Sequence, residues 1–156
     1  MIEKKDLKKW VDDKLEGTEY FLVELSVTPS NEISVEIDSD QNIDLQFCCN
    51  LNRYLEELLP DREVEDYSLE VGSVGITSPF KVRRQYIKNI GNEVETLLEK
   101  GEKVDGVLKE VNDNGIILTI EKKIKPEGSK RKILVKEDLS FSYEEIKKIN
   151  YKIRFK

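Results

Sequence analysis

The residue types best able to do chemistry are thin in this chain, and one is missing altogether. There is no histidine among the 156 residues. That removes the commonest general base, the Ser-His and Cys-His nucleophile pairs and every histidine-containing metal site. The two cysteines, Cys48 and Cys49, are adjacent. On a helix they point about 100° apart, so Cys48 is expected as a small core residue and Cys49 as a half-exposed one. Adjacent cysteines build no disulfide framework, which fits a reducing compartment. Neither Gly-x-x-x-x-Gly-Lys-Ser/Thr nor Gly-x-Gly-x-x-Gly occurs. The 32 acidic residues leave a carboxylate enzyme conceivable, but among so many acids some pair always looks suggestive. The expectation is therefore no enzyme: no catalytic residues, no metal, no cofactor and no small-molecule substrate.

What remains is the chemistry of basic side chains, which suits phosphates. Lys81-Val82-Arg83-Arg84 is a first cluster. A longer one spans Lys122 to Lys136, where Lys122, Lys123, Lys125, Lys130, Arg131, Lys132 and Lys136 face a single acid, Glu127. Pro126, Gly128 and Ser129 break regular structure there, so this stretch is expected as a loop-like insertion able to follow a nucleic-acid backbone. A solvated hairpin extension is the plain alternative. The pair Gly72-x-x-Gly75 has the spacing of the phosphate-gripping loop of KH domains, but it holds Ser73 and Val74 with no basic residue and follows a strand, so a turn is the preferred reading. The net charge of −6 conceals two unlike halves. Residues 1–80 carry 7 Lys+Arg and 19 Asp+Glu, a net of −12, while residues 81–156 carry 19 and 13, a net of +6. Such asymmetry points to a charged partner for one half.

These side chains need elements to carry them. Leu7, Val11 and Leu15 recur every four residues and predict a helix over Lys4–Leu15, stopped by Gly17. Alternation predicts a strand over Tyr20–Thr28 with Phe21, Val23, Leu25 and Val27 on one face. A second strand over Glu32–Asp38 turns Ile33, Val35 and Ile37 inward. Asp44 is placed to cap a helix running to about Leu59, with Cys48, Leu51, Leu55 and Leu58 as its apolar stripe. A third strand, Tyr67–Val71, follows as the far end of a crossover and so runs parallel to the second. Beyond Phe80 short segments follow: a turn or helix over Gln85–Ile90, then strands Glu93–Leu98, Lys103–Val111, Gly115–Ile120 and Tyr151–Phe155. Asn112-Asp113-Asn114-Gly115 forms a hairpin turn and Tyr143–Ile149 one helical turn capped by Ser142. The expected fold class is α+β: an N-terminal α/β domain, residues 1–82, with two helices on a three-stranded sheet, then a C-terminal Sm/SH3-like β-barrel, residues 83–156. No run approaches the roughly 20 apolar residues of a membrane span. Residues 1–6 lead into no apolar stretch, so neither a secretory leader nor a membrane partner is expected.

Tyr67-Ser68-Leu69-Glu70-Val71-Gly72-Ser73-Val74-Gly75-Ile76-Thr77-Ser78-Pro79-Phe80 resembles the signature of the ribosome maturation factor RimP family, a strand reading S-L-E-V that enters S-S-P-G-L-D-R-P-L. Val35-Glu36-Ile37-Asp38 resembles the family's V-x-I-D. Gln85 to Val94 resembles the family's entry into its barrel, Gly106-Val107-Leu108 its G-x-L, and Glu145-Ile146 with Ile149 its closing positions. The resemblance covers essentially the whole chain. Its signature loop maps to Gly72, Ser73, Gly75 and Pro79. The chain departs from the pattern at Val74, which stands for proline, and at Thr77-Ser78, which stand for an Asp-Arg pair; Lys81, Arg83 and Arg84 lie near enough in sequence to compensate.

The resemblance implies a bacterial, cytoplasmic, non-enzymatic assembly factor, acting as a monomer. It would bind the free small (30S) ribosomal subunit and assist its maturation, with rRNA and a basic small-subunit ribosomal protein as partners. Candidate contacts are Lys81, Arg83, Arg84, Lys122, Lys123, Lys125, Lys130, Arg131 and Lys132. The alternative is a stand-alone RNA-binding module of KH-like or Sm-like type, not dedicated to the ribosome.

Overall fold

A computed structural model describes residues 2–128 and 130–153. The chain divides into two compact units, Met1–Gly75 and Ile76–Lys156.

The first unit opens with α1 (Lys4–Leu15), whose four-residue spacing buries Leu7, Val11 and Leu15. Lys8 pairs with Asp12 at 2.6 Å along its outer face. Gly17 takes φ +78°, a left-handed turn open to glycine, and the Thr18 hydroxyl donates back to the Leu15 carbonyl at 2.6 Å. β1 (Tyr20–Val27) and β2 (Glu32–Ser39) form an antiparallel hairpin. α2 (Leu45–Leu58) starts at Asp44, whose side chain accepts from the Gln46 N–H at 2.9 Å. Tyr20 ties the hairpin to this helix: its ring stacks on Phe47 with centroids 3.8 Å apart, and its hydroxyl accepts from the Asp44 N–H at 2.8 Å. β3 (Ser68–Ser73) pairs with β2 in parallel, in the order β1-β2-β3. Leu7, Val11, Leu51 and Leu55 meet Ile33, Val35 and Ile37 in one core. Each such side chain stabilises the unit by about 1.5–3 kcal/mol relative to its exposed state.

Simple alternation fails in one place. A bulge between Leu22 and Glu24 adds one residue to β1 against β2, which flips the side-chain parity of half the strand. Tyr20 and Leu22, not Phe21 and Val23, therefore share the core with Leu25 and Val27. Phe21 and Val23 are buried outside that cluster.

The second unit contains α3 (Arg83–Lys88), β4 (Glu93–Leu98), β5 (Lys103–Val111), β6 (Gly115–Ile124), β7 (Ile133–Ser142), a 3-10 turn (Tyr143–Glu145) and β8 (Ile146–Tyr151). Val94, Leu108, Ile116, Leu118 and Ile149 form its core. Asn112 Oδ1 accepts from the N–H groups of Asn114 and Gly115, at 2.9 and 3.0 Å, and shapes the β5–β6 turn. A Cβ on Gly115 would collide with the Phe141 carbonyl oxygen, so only glycine lets β7 approach there.

The expected Sm/SH3-like β-barrel is not formed. The sheet order is β7-β6-β5-β4-β8, and no ladder joins the outer strands β7 and β8. Closure requires the first and last strands to hydrogen-bond with a fixed stagger. Here β5 accompanies β6 only to Thr119, whereas β7 stays paired with β6 from Gly115–Ser142 to Ile124–Ile133. The outer halves of β6 and β7 thus leave the sheet as a two-stranded ribbon. The expected basic loop over Lys122–Lys136 is strand at both ends, where it forms this ribbon, and a turn over 125–132 between them; the apolar run Ile133-Leu134-Val135 opens a strand that alternation in the preceding residues did not suggest. At the other edge, the expected helical turn over Tyr143–Ile149 shrinks to the 3-10 turn. The last strand comes earlier than Tyr151–Phe155, and residues 154–156 lie outside the described residues, as does Ser129.

Candidate nucleic-acid interface

Gly72 and Ser73 lie in β3, opposite Glu36 and Ile37, and the Val74 N–H donates to the Ile37 carbonyl at 3.1 Å. Gly72 has no left-handed φ. The glycine spacing is thus partly taken up by strand pairing, and Gly72 is not a free phosphate-gripping residue. Gly75 and Pro79 are exposed in the segment between β3 and α3, as is Ile76 at 68%.

The Lys81–Arg84 cluster sits at the start of α3. The backbone N–H groups of Lys81 and Val82 both donate to Gln85 Oε1, at 2.6 and 3.1 Å, and Gln85 is buried. Arg83 reaches the β5–β6 turn, pairing with Asp113 Oδ1 at 2.6 Å, and its guanidinium lies 5.5 Å from the centroid of the Tyr143 ring. Tyr143 in turn donates to the Asn112 carbonyl at 2.7 Å and meets Tyr86 edge-on at 5.4 Å. Burial pushes the Tyr86 phenol above its ordinary value, with Tyr143 adding to the shift. Arg83 therefore clamps α3 to two turns of its own unit, while Lys81 and Arg84 are exposed at its side.

The second basic cluster is built differently. Lys122 and Lys123 stand on β6 opposite Val135 and Leu134, and Lys136 stands on β7 opposite Glu121. Lys125, Lys130, Arg131 and Lys132 belong to the turn, where Gly128 takes φ +80°. From Glu121 to Lys136 every described residue is exposed except Pro126 and Val135, which are half-buried. Lys122 has a partner, Glu137 at 3.6 Å. Among the described residues Lys123, Lys125, Lys130, Lys132 and Lys136 have no ion pair. The ribbon is thus an exposed concentration of uncompensated positive charge.

β6 separates the two clusters. Arg83 meets the turn before Gly115 and the ribbon ends past Ile124, so ten strand residues place them about 30 Å apart. The structure does not gather the basic residues into one patch. Nearer the sheet, Asp138 accepts from Lys109 at 2.6 Å and from the Thr119 hydroxyl at 2.8 Å, and these two bonds hold its carboxyl below the ordinary carboxylate range. Sequence reasoning missed the ribbon's apolar residues: Ile124, Ile133 and Leu134 are 39%, 45% and 56% exposed. Their signal was the apolar run Ile133-Leu134-Val135. Among the described residues no group of three His, Cys, Asp or Glu is placed to hold a metal ion.

Residues 10–77 match the family model of the RimP N-terminal domain. The chain is 42% identical over 147 residues to the ribosome maturation factor RimP of Porphyromonas gingivalis strain ATCC BAA-308 / W83, covering 94% of this chain and 96% of that protein. It is 34% identical over 141 residues to the RimP of Christiangramia forsetii, covering 90% of each. With the RimP of Cytophaga hutchinsonii it shares 32% identity over 161 residues, covering 97% of this chain and 96% of that relative.

Proposed function

Because the chain belongs to the RimP family of ribosome maturation factors, we propose that it binds the free small ribosomal subunit in the bacterial cytoplasm and assists its maturation without catalysing a reaction. The observation that carries this reading is the likeness to RimP proteins along 94% of the chain at 42% identity. Small sheets of this kind serve many functions, and fold alone would not have led there.

The charge distribution supports a division of labour. The ribbon's lysines attract rRNA phosphates in a salt-sensitive way. Residues 1–80, at a net of −12, repel RNA and suit a basic ribosomal protein, steering its approach rather than setting its affinity. The two together orient protein and RNA during assembly. Lys81 and Arg84 add a second, smaller point of attraction, whereas Arg83 contributes chiefly by holding α3.

Co-sedimentation through a sucrose gradient with separated ribosomal fractions tests the proposal. The chain is expected in the small-subunit peak, with little on whole ribosomes. Equal recovery across fractions, or none with small subunits, would sink it.

A further inference from the structure

The ribbon carries more than charge. Residues directly opposite each other in an antiparallel pair share a face. Ile120 with Glu137, Lys122 with Val135, and Ile124 with Ile133 therefore lie on one side, continuous with the face on which Leu118 is fully buried. Within the sheet that face packs into the core. Past Thr119, where β5 stops accompanying β6, the same face goes on with Ile120 and Val135 half-buried and Ile124 and Ile133 exposed. Lys122 and Glu137, paired at 3.6 Å, stand on that face among these apolar residues; the opposite side carries Glu121, Lys123, Leu134 and Lys136, and the turn carries Lys125, Lys130, Arg131 and Lys132. The exposed pair Ile124 and Ile133 at the tip of that face is thus ringed by lysines. Its occupant must accept both apolar contact and dense positive charge. A second copy does not fit, since like charges would be brought together. An RNA duplex does: its minor groove is wide and shallow, lined by sugars and base edges, and bordered by phosphates on both sides. Proteins that enter the minor groove of DNA likewise combine basic side chains with apolar ones, there inserted as wedges between base steps.

We propose that the outer half of the β6–β7 ribbon is an arm that lies in the minor groove of a duplex RNA segment, its Ile120–Ile124–Ile133–Val135 face on the groove floor and its lysines on the flanking phosphates. The proposal rests on the ribosomal reading above and names the RNA form that the arm recognises. It accounts for the ribbon's apolar strip, which attraction to phosphates alone does not use. It also sets a preference: the minor groove of B-form DNA is narrow and must be opened by bending before it admits a ribbon, and a single strand offers no groove.

The test uses the full chain and three probes of equal length, an RNA duplex of about 16 base pairs, its single strand and the matching DNA duplex. Binding is read by fluorescence anisotropy. The RNA duplex is expected to bind most tightly. Ile124→Thr together with Ile133→Thr keeps β-branching and hence the strand; it should weaken duplex binding by about tenfold, the loss expected when two half-exposed isoleucines no longer bury their remaining surface. It should leave the salt slope unchanged, because no charge is altered. Equal affinity for RNA duplex and single strand would overturn the proposal. So would an undiminished duplex affinity in the double variant with intact circular dichroism. If the wild-type chain sediments with small subunits yet shows no duplex preference, the ribosomal reading stands and the groove-binding arm falls. If it does neither, both fall.

Discussion

Replacing Lys125, Lys130 and Lys132 together with glutamine probes the ribbon's charge without touching its ladder. All three lie in the turn between Ile124 and Ile133, the last paired residues of β6 and β7. None has an ion pair among the described residues, so their removal strands no buried charge. Five ribbon lysines are uncompensated in this way: these three with Lys123 and Lys136. If each neutralises one phosphate, the logarithmic salt slope is about −4.5 for the wild-type chain and about −1.8 for the variant. Between 50 and 200 mM salt the wild type then loses about 500-fold in affinity and the variant about 12-fold. These are ceilings, reached only if every lysine sits on a phosphate. The assay is binding of labelled protein to purified small subunits across that salt range at constant magnesium, with circular dichroism to show an intact fold. Wild-type and variant slopes that coincide would refute the reasoning, and the ribbon would then be a solvated extension whose lysines merely discourage edge-to-edge association.

Gly115→Ala forces a Cβ into the Phe141 carbonyl oxygen; it should destabilise the second unit by about 2–3 kcal/mol in urea unfolding, and an unchanged midpoint would show that the strands can part at no cost. Thr96 is 2% exposed and its hydroxyl has no hydrogen-bond partner, so Thr96→Val should stabilise by about 1 kcal/mol, and a lower melting temperature would contradict that. Asp138 has its carboxyl held low by Lys109 and Thr119. Its stabilising contribution is whole above the ordinary carboxylate range and drains as pH falls through the lower folded value, so the difference in thermal stability between wild type and Asp138→Asn should shrink towards zero from about pH 7 to about pH 2; a difference that persists in acid would refute the assignment. Residues 1–75 and 76–156, expressed separately, should each give dispersed amide NMR signals, since each holds its own buried cluster; two unfolded halves would mean that the units depend on each other.

Local periodicity carried α1, β2 and most of α2, because a helix face or a strand face repeats every few residues and leaves its mark in neighbouring positions; in α2 the expected Leu58 is 41% exposed and Leu59 is buried in its place, just past the helix end. The parallel pairing of β2 with β3 followed from the crossover through α2. Leu7, Val11 and Leu15, or Ile33, Val35 and Ile37, read the same in sequence and in the core. The cap at Asp44 and the hairpin turn ending in Gly115 were legible for the same reason, since their hydrogen bonds close within three residues. The family signature between Tyr67 and Phe80 was likewise visible in the chain itself.

Tertiary structure decided what depends on partners distant in sequence. The bulge in β1 exists only relative to β2, and it moved Tyr20 and Leu22 into the core in place of Phe21 and Val23. Arg83 looked like a free phosphate ligand until the fold brought Asp113 and Tyr143 to it. The sheet is open because no ladder joins β7 to β8, a matter of non-local pairing that no alternation pattern encodes; β7 also follows β6 past the point where β5 stops. The extended pairing of β6 with β7 turned a run of lysines, read as a loop-like insertion or a hairpin extension, into a ribbon that sets Ile120, Ile124, Ile133 and Val135 on one face beside the Lys122–Glu137 pair, since only strand pairing sets which side chains stand on the same side.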